Sequence, residues 1–471
     1  MKSFWAIVKQ TVRSSVRTKV FHVLFLFLVL AVFLLPLTVS GDGTINSLVQ
    51  VSLLYSLSVV IVLISVTTLW LSCSCLSTEI ENYTIHTNVT KPCARWKIWA
   101  GKWCGIFGMN ALILLVSMGA IYALVQWRVH RCEKSGRYAP AEIARLHKEI
   151  LVGRRNFFAD KNILQKEVNL EWEKNQEKYA GKSEREAKEE IRNQIMMQNR
   201  EIKPGDVKDW VWRKVKGQDD LLFLRFRVYS GSTGFMDQRD IPCYWGVRDP
   251  SAPKSSGDVY AYFPMRFRSG TFQELMLDPT CIDTENDNSV KIQFICPPKE
   301  DVEAWNGATP APFVMQPEDG PFLMMAAASF TENYLRAVIL ALIQIAFLAA
   351  LGCAVSAAFS TPVAVFVAIA YLLIGMTVNL AISAPIMDEN GEYQYQNVGE
   401  RITHYVSRAV GAIIVSVDDL NITKPLSTGY WISNGRLIHS FVFYLLFRTG
   451  LITFCGIWIF YKRELGLVMR K

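Results

Sequence analysis

Residues 335–359 read LRAVILALIQIAFLAALGCAVSAAF. Arg336, at its edge, is the only Asp, Glu, Lys or Arg in that stretch. A surface helix of a soluble protein carries a charged face opposite its apolar stripe, and this run has none. Roughly 20 helical residues cross the ~30 Å hydrocarbon core of a bilayer, so the run reads as a transmembrane helix. Similar runs lie at 21–39, 48–73, 99–127, 363–384 and 437–461. Together they predict an α-helical integral membrane protein with six spans. The overall 51% hydrophobic content of the 471 residues would also suit a large soluble core. The concentration of apolar residues into long runs decides the class.

The first run has a basic flank (Lys9, Arg13, Arg17, Lys19), a feature shared with signal peptides. That flank is long for a signal peptide, and no small-residue cleavage motif follows. The run therefore reads as a span. Residues 1–18 read as a cytoplasmic amphipathic helix, with Phe4, Ile7, Val8 and Val12 toward lipid.

Short-loop charges orient the spans. Residues 1–19 carry five basic and no acidic side chains. The loop after the second span carries Lys91, Arg95, Lys97 and Lys102, and the tail carries Lys462, Arg463, Arg470 and Lys471. With six spans these segments share one face, and the basic excess makes it cytoplasmic. The expected location is the plasma (inner) membrane, with both termini inside. The net charge of +8 then reports topology, and no nucleic-acid partner is expected. The implied organisation is a segment 19–127 with spans one to three, an extracytoplasmic block 128–330, and a segment 331–471 with spans four to six and an external stretch 385–436.

The external block reads as an α+β insertion between spans three and four. Residues 140–201 are charge-rich, with Ile143, Leu146, Ile150, Ile163, Leu164 and Val168 at helical spacing; a helical hairpin or stalk, or a partly disordered linker, fits. Residues 218–300 read as β-rich. Leu222, Leu224, Phe226 and Val228 alternate with Phe223, Arg225, Arg227 and Tyr229, and Val290, Ile292, Phe294 and Cys296 alternate with Lys291 and Gln293. An antiparallel sandwich is expected. Cys132, Cys243, Cys281 and Cys296 lie in this block, and an oxidising exterior permits disulfides. Cys281 and Cys296 flank an acidic turn and are the expected pair, although four cysteines allow three pairings.

No catalytic constellation stands out. Gly181-Lys182-Ser183 ends like a phosphate-binding loop, but Gln176 stands where its first glycine belongs and the flanks read as a charged helix. His147 has no second histidine at helical spacing. Asp283, Glu285 and Asp287 lack the glycine and distal glutamate of a calcium loop. No metal and no directly bound cofactor are expected. Arg448 stands near the middle of the sixth run, where a charge is costly. It reads either as a contact in a substrate path or as a structural partner to another helix.

The loop between the second and third runs, 76–98, is the most informative. It contains Ser77-Thr78-Glu79-Ile80-Glu81-Asn82-Tyr83-Thr84, then Lys91-Pro92-Cys93-Ala94-Arg95, then Gly101-Lys102 opening the third run. This pattern resembles the ABC type-2 exporter permease family, with Tyr83 where the family usually has glycine. Ala358-Phe359-Ser360-Thr361-Pro362-Val363-Ala364 is similar to that family's turn between spans four and five.

The resemblance implies a six-helix permease bundle, Glu79, Glu81, Thr84, Lys91, Pro92, Arg95, Gly101 and Lys102 in an ATPase-coupling loop, and a separate nucleotide-binding subunit that uses ATP and Mg. It also implies a second permease copy or homologue, and short helices between spans five and six, to which 401–416 corresponds. Membrane lipid is a further partner, and the large insertion suggests an extracytoplasmic protein partner. The chain itself would not be an enzyme. The expected function is export driven by that subunit. The alternative is a membrane-anchored extracytoplasmic binding or assembly protein docked to an ATPase without itself transporting.

Overall fold

The apolar runs become helices that overshoot them. In the computed structural model, which describes residues 2–38, 44–85, 93–157, 159, 161–179, 184–198, 201–215, 221–230, 240–249, 259–301, 305, 311–316, 320–383, 398–413 and 420–463, α1 (Lys2–Val16) precedes α2 (Lys19–Thr38) across a 72° bend. Helix α3 (Ile45–Glu81) starts at an N-cap in which Thr44 Oγ1 accepts from Ser47 N at 3.2 Å. Helix α4 (Arg95–Ser135) ends at Gly136, whose φ of 62° is the left-handed conformation that closes helices without a Cβ penalty. Both exceed the runs 48–73 and 99–127 because the hydrocarbon sets a minimum length only. Polar residues at either end continue the backbone hydrogen-bond ladder. Helix α5 (Pro140–Glu149) has proline in its first turn, where the missing N–H costs nothing.

The predicted stalk over 140–201 is corrected, because it is not continuous helix. Strand β1 (Val152–Phe157) interrupts it, then α6 (Lys161–Lys174) and α7 (Glu184–Gln198) pack over Val168, Tyr179, Ala187 and Ile191. The sequence hides β1 because its inward residue is charged. Arg154 is only 1% exposed and donates to both oxygens of Glu274, at 2.7 and 3.1 Å. The β-rich part also extends beyond 218–300.

After β2 (Glu201–Ile202) and β3 (Val207–Trp212) come β4 (Leu222–Phe226), β5 (Tyr229–Ser230), β6 (Asp240–Arg248), β7 (Tyr260–Arg268), β8 (Gln273–Leu277), β9 (Val290–Ile295), β10 (Phe313–Val314) and β11 (Phe322–Ser329). Three sheets form, in the orders β1-β11-β4-β8, β2-β10-β5 and β3-β9-β6-β7. Leu222, Leu224, Phe226, Val228, Val290, Ile292, Phe294 and Cys296 are all fully buried in one shared core around Trp212 and Trp245. The compact unit begins at Arg154 and runs to Ala327, so it is smaller than 128–330. The difference arises because α4 and α5 belong to the helical unit.

The helical unit resumes with α8 (Phe330–Ala358), capped by Ser329 Oγ accepting from Glu332 N at 3.3 Å. Next come α9 (Thr361–Ser383), α10 (Val398–Ile413), α11 (Thr423–Thr428), α12 (Asn434–His439), a π-helical stretch (Ser440–Arg448) and α13 (Thr449–Lys462). Within 385–436, residues 384–397 and 414–419 lie outside the described residues, while α10 to α12 are part of the helical unit.

Helix α8 is central: its apolar window is 83% buried, against 17% for α9 and 17% for the helix over Asn434–Lys462. Phe366, Leu373, Phe447, Phe454 and Trp458 point outward with half or more of their surface exposed. In water such contiguous apolar surface would drive aggregation; in lipid it is the solvated face. Among the described residues five helices are long and apolar enough to cross a membrane, or six if the bent α1–α2 pair counts as one.

Close approach, rather than bulk, seats α3 on α8. A Cβ on Gly352 would overlap Ser72 Oγ and lie 3.1 Å from Cys73 N, whereas one on Gly108 would meet nothing within 4 Å. At the bundle end that holds the start of α8, Asn333 donates to Tyr430 O at 2.9 Å and accepts from Ile432 N at 2.8 Å. Arg336 donates to Ile432 O at 2.9 Å, which ties α8 to the segment before the last span. Gly352→Val is expected to lower the detergent-solubilised protein's stability by about 1–3 kcal/mol through overpacking, read as a fall in thermal midpoint by size-exclusion fluorescence. Gly108→Ala should leave the midpoint unchanged.

Candidate coupling site

The site is a cluster of helix ends, and its chemistry comes from what helix ends lack. The first four N–H and last four C=O groups of a helix have no intrahelical partner. At one end of the bundle meet the C-terminal turns of α3, α8 and α13 and the N-terminal turns of α4 and α9. Charged side chains from neighbouring helices supply the missing partners.

Lys102 is the anchor. It sits in the second turn of α4, 3% exposed, with its Nζ 2.7 Å from Glu79 Oε1 and donating to Cys75 O at 3.1 Å. Both partners are on α3, so one ammonium binds the last turns of α3 to the start of α4. The other oxygen of that carboxylate, Glu79 Oε2, is buried without a hydrogen-bond partner among the described residues.

Glu81 points to a different helix. Its Oε1 accepts from Thr361 N at 2.9 Å, placing negative charge on the N-terminus of α9. Ser77 Oγ lies 2.8 Å from Thr361 Oγ1 in support. Thr84 closes the turn after α3 by donating to Glu79 O at 3.3 Å, and Ile85 N donates to the same carbonyl at 3.1 Å. Tyr83 has φ 58°, the left-handed region. Glycine takes that conformation without the ~1–2 kcal/mol that a Cβ costs, which gives a physical reason for the glycine usual at this place in the resembling family.

Arg95, at the start of α4, donates from Nη1 to Tyr461 O at 2.6 Å and Arg463 O at 3.1 Å, completing the carbonyl end of α13. Arg463 in turn donates to Ala357 O at 2.5 Å, at the end of α8. Gly101 and Gly105 let α1 lie against α4, since a Cβ at either would come within 2.9 Å of Ile7 or Thr11. Lys91 and Pro92 lie outside the described residues.

The structure therefore gathers Glu79, Glu81, Thr84, Arg95, Gly101 and Lys102, and adds residues the sequence did not single out: Ser77, Thr361 and Arg463. Their roles depend on long-range partners, which local spacing does not encode. One signal was present: Thr361-Pro362 after Ser360 is a helix-start pattern whose orphan N–H groups need an acceptor.

Arg448 is separate from this cluster. It closes the π-helical stretch, donates from Nη2 to Gly411 O at 3.1 Å and stacks 5.0 Å from the Tyr444 ring. Its charge thus meets the carbonyl end of α10. Cys281 and Cys296, the expected pair, are both buried, and Cys132, Cys243, Cys281 and Cys296 are all free thiols here. Cys281 closes a 3₁₀ turn (Pro279–Cys281), whereas Cys296 follows β9; sheet register, not nearness in sequence, sets their neighbours. In the acidic turn, Asp283 is bound by Arg248 at 2.6 Å and Asn286 Nδ2 at 2.7 Å. No group of three or more potential metal-ligating side chains occurs among the described residues.

This geometry fastens the last turns of α3 to α4 through Lys102–Glu79 and to α9 through Glu81–Thr361. A multi-pass membrane protein with its helix ends laced at one face is the class so defined. Residues 5–131 are similar to the family model described as ABC-2 family transporter protein. Comparison with curated proteins and with solved structures finds no match for the chain.

Lys102→Ala is expected to destabilise the protein by about 3–5 kcal/mol, since it strands a largely buried carboxylate. Lys102→Met combined with Glu79→Gln should recover most of the loss, and a double-mutant cycle on thermal midpoints measures the coupling. For Asp283, burial raises the carboxyl pKa, but hydrogen bonds from Asn286 and Arg248 outweigh it and hold the net value below the ordinary range. Its contribution is present above the unfolded pKa of about 3.9 and is lost as pH falls through the lower folded value. Acid titration of tryptophan fluorescence should show Asp283→Asn less stable than wild type at pH 7, with the gap closing in acid.

Proposed function

We propose that this chain is the permease subunit of an ABC exporter, working with a separate nucleotide-binding subunit that hydrolyses ATP with Mg. The observation that carries the reading is the junction at Glu79, Glu81 and Lys102. The loop 76–98 is fastened internally to α4 and α9, so a push on it by a partner shifts two spans together. In this reading the ends laced by Arg95, Glu81 and Lys102 face the cytoplasm, both termini lie inside, six spans cross the inner membrane, and the Arg154–Ala327 unit is extracytoplasmic. A second permease, identical or homologous, completes the assembly, with lipid around its outward apolar faces.

A second compact unit with its own core also favours the alternative, a membrane-anchored binding or assembly protein whose ATPase supplies motion without substrate crossing. The two readings share the coupling loop and differ in what crosses the bilayer.

Co-purification of a nucleotide-binding subunit, with its ATPase turnover measured with and without this chain, tests the proposal. Glu81→Gln weakens the charge on the α9 N-terminus while keeping the side chain's shape. It is expected to leave assembly intact and reduce the stimulated turnover several-fold, matching about 1 kcal/mol of lost helix-end interaction. Absence of any ATPase partner from the native complex, or full stimulation by Glu81→Gln, overturns the coupling role.

A further inference from the structure

Extending the β6–β9 register by one step places Cys243, on β6, opposite Cys296, the residue that follows β9. Strand β6 pairs with β9 in the register Tyr244↔Ile295 and Trp245↔Phe294, and one further step in the antiparallel direction sets Cys243 against Cys296. Both residues are buried, at 1% and 0% exposure, on the face that carries Trp245 and Phe294. Those two rings meet with centroids 4.8 Å apart, so side chains of this register touch across the strands.

The backbone says which kind of pair this is. Cys296 N donates to Asp206 O at 3.2 Å, and Cys296 O accepts from Gly205 N at 3.0 Å. Both polar groups of Cys296 thus point toward the β3 side, away from β6. Opposite residues whose backbone groups face away from each other form the non-hydrogen-bonded antiparallel pair, with Cα atoms about 4.5 Å apart and the closer side chains. That spacing lies inside the ~4.4–6.8 Å range that a disulfide spans.

We propose that Cys243 and Cys296 form a cross-strand disulfide that clamps β6 to β9 in the core of the Arg154–Ala327 unit. In cells this rests on the extracytoplasmic placement of that unit, because an oxidising compartment is needed. Two S–H bonds break and one S–S bond forms. The two electrons and two protons pass to a disulfide of an external thiol–disulfide oxidant, which leaves as two thiols.

Cys243 lines a cleft of about 520 Å³ with Tyr244, Pro264, Met265, Arg266 and Asp301, which gives the oxidant a side of approach. Burial pushes the Cys296 thiol up to about 12 and that of Cys243 higher still, with the neighbouring Cys296 adding to the rise. Thiolate exchange is therefore slow in the closed core, and the bond forms while the strands are pairing. Cys281 has no part in it: its charge neighbour is Asp278.

The test digests the full-length protein, purified from membranes with free thiols blocked, under non-reducing conditions and identifies linked peptides by mass spectrometry. A peptide joining Cys243 to Cys296 is expected, disappearing on reduction, with Cys281 recovered as blocked thiol. A Cys281–Cys296 link overturns the proposal. Where both thiols come back blocked, two further measurements decide.

A membrane-impermeant maleimide on Glu300→Cys in intact cells reports the side of the unit: failure to label removes the extracytoplasmic reading. Refolding the purified chain in a glutathione redox couple reports the geometry by itself. Formation of the Cys243–Cys296 link there upholds the pairing whatever the compartment, and its absence overturns it. Cys243→Ala and Cys296→Ala should each lower the thermal midpoint of the oxidised protein by the same amount, and neither should change that of the reduced protein relative to the other.

Discussion

A lysine ammonium buried at a helix start has to be neutralised, and much of the membrane unit's arrangement stems from how Lys102 is. With 3% of its surface exposed, its ammonium is partnered by the Glu79 carboxylate and the Cys75 carbonyl, which offset the cost of burying it. That requirement holds the end of α3 beside the start of α4. The remaining contacts build outward from there: Glu81 reaches α9, Arg95 reaches α13, and Arg463 reaches α8. Each satisfies backbone groups that a helix end leaves without an intrahelical partner.

The spans were legible because the bilayer imposes a length and forbids charge, and both constraints show in local composition. The 335–359 run is the clearest case, and the helix it belongs to proves to be the most buried. Helix ends were less legible. Residues 46–47 and 128–135 are helical although mostly polar, because hydrogen bonding along the backbone does not stop where lipid does. In the insertion, the alternation at 222–228 and 290–296 marked an inward face because every second residue is apolar. Strand β1 escaped notice because its inward residue, Arg154, is charged and made tolerable only by Glu274, 120 positions later.

The candidate site was legible in its residues and not in its contacts. Glu79, Glu81 and Lys102 stand out in the loop, yet nothing local says that one acid faces α4 and the other α9. A carboxylate beside a helix terminus looks the same in sequence whether its partner is a lysine, an N–H group or another protein. The same holds for the cysteines: Cys281 is the nearer neighbour of Cys296 in sequence, but the pairing proposed above joins Cys296 to Cys243, 53 positions away, because the β6–β9 register extended by one step sets them opposite.

The inward use of Glu79 and Glu81 bears on how such a loop transmits force. Had both carboxylates been free on the surface, a partner could bind them and still move the loop independently of the bundle. Fastened to Lys102 and to the α9 N-terminus, they tie the last turn of α3 to two spans. Under the proposed function, a partner docking beside that turn would displace both, and docking specificity would fall to outward residues such as Trp96 and Tyr83, which are 52% and 61% exposed. The acids serve rigidity. Sliding α4 past α3 would break the largely buried Lys102–Glu79 ion pair at a cost of several kcal/mol, whereas α9 is held by the exposed Glu81 contact with Thr361 N.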